Sequence, residues 1–202
     1  MYNLIRKDFI IQKKALLILF PILFVYLILN TANIWIGFVF SIVIIMNTFS
    51  MDEKPNITAL LNSLPYTRKE IVSSKYIGVL IFTLFVIFAL FIGNYVIHRE
   101  LIDWKEIMFI MSLVMMVTSF TIPFSYQFKS QYLLIGSLFL FIGYLIIANT
   151  LVKNINDEIR NLIQFLIELQ GLQSYLLFIV PVIVIYGCSW LLSIRIYRKK
   201  GL

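Results

Sequence analysis

Long apolar runs alternate with short polar interruptions along this chain, and one interruption keeps an apolar pattern of its own. It lies between two of the runs, from Asp52 to Lys75. Ile57, Leu60, Leu61 and Leu64 fall at i, i+3, i+4 and i+7, a single apolar stripe of a short helix over 56–64. Pro55 bars helix before it and Pro65 ends it, because a residue preceding proline is pushed out of the α region. Thr67 with Glu70 three residues on forms a capping box, so a second helix starts near Arg68 and meets no breaker before Ile97. A helix over 68–97 is roughly 45 Å long. The hydrocarbon core of a bilayer is about 30 Å thick, so the first two turns project from the membrane.

The other runs predict a bundle of spans. Residues 1–14 put Leu4, Ile5 and Phe9 on one helical face with Ile10 at its edge, and Arg6, Lys7, Lys13 and Lys14 elsewhere, the pattern of a basic amphipathic helix lying on a membrane surface. Span 1 covers about 15–29 and contains Pro21; span 2 covers about 34–51; span 3 is 76–97; span 4 is about 107–125; span 5 is about 132–152; span 6 is about 175–194 and contains Pro181. Between spans 5 and 6, Ile155, Ile159, Leu162, Ile163 and Leu166 keep a helical stripe while polar residues fill the other faces, which predicts an amphipathic outer helix over 153–171. The fold class is therefore all-α integral membrane, one six-span domain over 1–202.

Composition agrees: hydrophobic residues make up 61% and charged residues only 13%, about half the usual share for a soluble domain. The net charge of +7 sits beside the apolar runs, so the positive-inside rule accounts for it and nucleic acid is not a partner. All but four of the 17 Lys and Arg fall on segments that are inside when both termini are inside; the four are Arg99, Lys105, Lys153 and Arg160. That predicts cytoplasmic termini, a cytoplasmic 52–75 loop and an outward 153–174 segment. Cys188 lies alone in an apolar run and reads as a small buried membrane residue.

Chemistry is scarce. The six predicted cores contain no Asp, Glu, Lys, Arg or His, which speaks against an ion-coupled carrier. No paired carboxylates, metal-ligand spacing, nucleophile elbow or phosphate-binding loop occurs, so neither catalytic nor metal residues are assigned and no cofactor is expected in this chain. Any uphill work must draw its energy from another polypeptide. The intramembrane polar residues Asn47, Asn94, Thr118, Ser119, Thr121 and Asn149 read as helix–helix hydrogen-bonding groups.

The run Leu64-Pro65-Tyr66-Thr67-Arg68-Lys69-Glu70-Ile71, continuing through Ser74-Lys75-Tyr76, resembles ABC-2 type permease subunits of bacterial ABC exporters. In that family a Leu-Pro-x-Ser/Thr-Arg-x-Glu-Ile/Val-x-x-x-Lys-Tyr run sits between the second and third spans. The resemblance implies a permease in the bacterial cytoplasmic membrane, working with a separate ATPase subunit that binds ATP and Mg, and with a second permease, identical or different. It also implies that the loop helix is a coupling helix, with Ile57, Leu60, Leu61, Leu64, Arg68, Lys69 and Glu70 contacting the ATPase. Small permeases of this kind are similar to those that export amphipathic peptides such as phenol-soluble modulins, or that confer peptide-antibiotic resistance. A hydrophobic or amphipathic substrate, with membrane lipid around the spans, is implied on that ground alone. The alternative from another class is a non-transporting membrane immunity or assembly protein, in which the loop stripe packs on lipid headgroups or on the N-terminal helix.

Overall fold

The computed structural model describes residues 2–29, 32–52, 66–128, 132 and 172–199. Within them the chain forms five helices and no strand: α1 (Tyr2–Ile28), α2 (Asn33–Asp52), α3 (Arg68–Ile97), α4 (Trp104–Gln127) and α5 (Leu172–Lys199). Each contains a stretch long and apolar enough to cross a membrane. They correspond to the expected spans 1, 2, 3, 4 and 6. Span 5 beyond Tyr132, the outer helix over 153–171 and the loop helix over 56–64, with Ile57, Leu60, Leu61 and Leu64, lie outside the described residues.

The start of α3 is built as its sequence dictates. Thr67 has extended backbone (φ −68°, ψ 148°); its side chain accepts from the Glu70 N–H, while the Glu70 carboxylate accepts from the Thr67 N–H. That reciprocal pair satisfies two of the orphan donors of the first turn. The start of α1 differs from expectation. No break separates a surface helix over 1–14 from a span beginning at 15; one helix runs from Tyr2 to Ile28. Its buried stripe explains the continuity. Leu4, Asp8, Gln12, Leu16, Leu23 and Leu27 follow one face along its whole length, and that face packs on α2 and α3.

α3 touches all four other described helices, and Val72, Val79, Phe82, Val86 and Leu90 along it are almost completely buried. Two glycines allow the closest approaches. A Cβ on Gly37 of α2 would lie 2.8 Å from Ile110 of α4, and one on Gly93 of α3 would collide with Leu27 of α1. Small residues at such crossings let helix backbones come together where lipid supplies no hydrophobic drive. Outward faces carry Leu84, Phe85, Phe88, Phe120 and Phe124, as a lipid-facing surface requires. Cys188 is on that outer surface too, not buried as its apolar surroundings suggested.

Candidate functional site

The helix ends flanking the 53–65 loop meet in a closed ring of charge. Lys7 of α1 lies 3.1 Å from Asp8 and 2.8 Å from Asp52, the last residue of α2. Lys75, in the second turn of α3, binds Asp8 through both carboxylate oxygens, at 3.0 and 2.9 Å, and also pairs with Asp52. Each ammonium thus contacts both carboxylates, and two positive charges face two negative ones. Asp8 is 2% exposed and Lys75 6%, so the ring is inside the bundle. Ions desolvated to this degree are tolerable only when paired and hydrogen-bonded, and an unpaired member would be strongly destabilising. Asp52 also sits at the negative end of the α2 dipole, where a carboxylate is unfavourable unless cations stand beside it.

A polar rung extends the ring along the α1–α2 seam. Gln12, one turn beyond Asp8, donates to the Ile44 carbonyl at 2.9 Å and contacts the Thr48 hydroxyl, one turn before Asp52. Asp8 with Asp52 and Gln12 with Thr48 are therefore successive levels of two antiparallel helices.

The other side of the loop is fastened to α1 and α5. Asn3 donates to the Tyr66 hydroxyl at 3.4 Å, and Tyr66 packs with Leu4, Ile71 and Tyr197 in a small apolar cluster. Arg68 donates to the backbone carbonyls of Tyr197 and Arg198 at 3.3 and 3.1 Å. From its position alone, the Arg68 charge opposes the dipole of its own helix and needs an outside partner. In the structure it caps the negative C-terminal end of α5. Tyr76 continues this contact inward. Its hydroxyl bonds Ser189 at 2.7 Å and Ser193 at 2.8 Å, Tyr186 donates to its carbonyl at 2.8 Å, and Trp190 donates to Ser73 at 3.0 Å.

Of the seven residues expected to face a partner, Arg68 and Glu70 are thus engaged within the chain, Lys69 is exposed, and Ile57, Leu60, Leu61 and Leu64 lie outside the described residues. Sequence reasoning missed Lys7, Asp8, Gln12, Asp52 and Lys75 as a set. The signal was present: Asp8 is the first acidic residue of the chain, with none following before Asp52, and it falls one turn from Leu4 on the apolar face of a basic segment. The intramembrane hydroxyls of Thr118, Ser119 and Thr121 do not bond between helices as expected. Each bonds back to carbonyls of its own helix, and it is the backbone carbonyl of Ser119 that accepts from Ser189 and joins α4 to α5. Among the described residues no cluster of metal-ligating side chains occurs.

A family model described as ABC-2 family transporter protein matches residues 3–198, nearly the whole chain. No curated protein and no solved structure gives a significant match.

Proposed function

We propose, for a chain that belongs to the ABC-2 family of transporter proteins, that it is the permease subunit of an exporter and that the 53–65 loop is its coupling element. The ATPase is a separate subunit, which binds ATP and Mg and hydrolyses the nucleotide. Ile57, Leu60, Leu61 and Leu64 form the apolar face pressed into that subunit, with Lys69 beside them, and Arg68 and Glu70 fix the angle at which the face is presented. The termini and this loop are cytoplasmic. The substrate is hydrophobic or amphipathic, of the peptide class, and moves outward between two permease copies or between this chain and a second permease.

One observation carries the reading: both ends of the loop are fastened to different helices. Asp52 at its start is held by Lys7 of α1 and Lys75 of α3, while Arg68 just after it holds the end of α5. A displacement of the loop must therefore be felt by α1, α3 and α5 together. Buried ion pairs suit that task better than apolar contacts, because sliding them apart exposes unpaired charge. Within the Thr67–Tyr76 run, Thr67, Arg68, Glu70, Ser73, Lys75 and Tyr76 are all engaged in this mount or in the cap and seam that extend it, while Ser74 bonds back to the Ile71 carbonyl of its own helix.

The test is copurification. Affinity-tagged chain, expressed with the rest of its operon or locus, should bring down an ABC ATPase, and the complex should hydrolyse ATP faster when substrate is added. Chain purified alone should not hydrolyse ATP. Hydrolysis by the isolated chain, or purification as a complete transporter without any ATPase, would contradict the assignment.

A further inference from the structure

We propose that the C-terminal end of α5 and the start of α3 form a binding site for a single anionic phospholipid. A cavity of about 460 Å³ opens there, lined by Lys69, Leu191, Ile194, Arg195, Arg198 and Lys199. Four cations from two helices distant in sequence converge on it, and none of the four has an acidic partner among the described residues. Among the described residues, the acids on the loop side of the bundle are committed elsewhere: Asp8 and Asp52 to the charge ring, Glu70 to the cap on Thr67. Like charges held this close repel, so the arrangement gains most when an anion enters.

The outer face of α5 says which kind of anion. Val180, Val184, Cys188 and Leu191 are all exposed and follow one another by four, four and three residues, and Arg195 is four residues further on. A single stripe is therefore apolar for three turns and then cationic. From Val180 to Leu191 the rise is roughly 16 Å, close to the half-thickness of about 15 Å for the hydrocarbon core. An acyl chain along the stripe places its phosphate among Arg195, Arg198 and Lys199, with Lys69 across from them. Basic pockets between spanning helices recognise anionic headgroups in this manner. A soluble phosphate would use the cations and ignore the stripe; an acidic protein segment would not need three turns of apolar helix below them.

The experiment uses the full-length chain, delipidated in detergent and given phosphatidylglycerol or phosphatidylcholine with the same acyl chains, bound lipid being counted by native mass spectrometry. One phosphatidylglycerol should be retained at least tenfold better than phosphatidylcholine, and glycerol phosphate at the same concentration should not displace it. The R195Q/R198Q/K199Q variant should lose retention by about fivefold for each cation removed. The R6Q/K13Q/K14Q variant removes the same charge from exposed positions of α1 and should bind normally. The charge-preserving R195K/R198K/K199R variant guards against a folding defect and should also bind. Equal retention of both lipids, equal loss in the two glutamine triples, displacement by glycerol phosphate, or unchanged lipid binding with loss of the ATPase in R195Q/R198Q/K199Q would each overturn the proposal.

Discussion

Asp8 and Lys75, 67 positions apart, meet inside the bundle with both carboxylate oxygens within 3.0 Å of the ammonium. Lys7 and Asp52 complete the ring around them, so no member can be removed without leaving a net buried charge. Asp8→Asn and Lys75→Met should each lower stability by about 3–5 kcal/mol. The double variant leaves Lys7 and Asp52 as a neutral pair and should be destabilised by clearly less than the sum. Thermal unfolding of the purified chain in detergent measures this cycle. Additive losses would mean that the two groups do not sense each other.

The tie between α3 and α5 makes a local prediction. Arg68→Gln removes a charged donor from the last carbonyls of α5, a loss of about 1–2 kcal/mol. Backbone amides in the final turn of α5 should then exchange faster with deuterium, while those at the centre of α3 stay as they were. No change at the end of α5 would show that the Arg68 contact carries no weight there.

The outline of the bundle was legible because its causes are local. Apolar runs separated by breakers mark α1 to α5, and the Thr67–Glu70 box marks the start of α3 within one residue. The mount was not legible, because its causes are long-range. Lys7 and Lys75 look like solvated inner charges until α1 is seen to continue through residue 14, which carries Asp8 and Gln12 into the interior. Arg68 looks mismatched to its own helix until the end of α5, more than a hundred residues later, is seen beside it. The apolar stripe of the loop remains a reading of sequence spacing.

The distribution of Lys and Arg predicts cytoplasmic termini and an outward 153–174 segment. In a Cys188→Ser background, Asn62→Cys should label with a membrane-impermeant reagent only after the cytoplasmic side is opened, and Asn161→Cys should label from outside. Cys188 must be replaced because its thiol is on the outer surface of the bundle. Labelling of both introduced cysteines from outside would contradict the six-span arrangement.

The proposed coupling role, in which the loop passes force from an ATPase to the helices that hold it, is probed by Leu61→Asp. A carboxylate placed in an apolar docking face and left unpaired costs several kcal/mol, while the spans and the charge ring are untouched. The measurement is the amount of ATPase that copurifies per permease, together with substrate-stimulated ATP hydrolysis, at equal permease levels in the membrane. A coupling role predicts normal insertion with copurification and stimulated hydrolysis both reduced at least tenfold. Normal insertion with full copurification and full stimulation would contradict it.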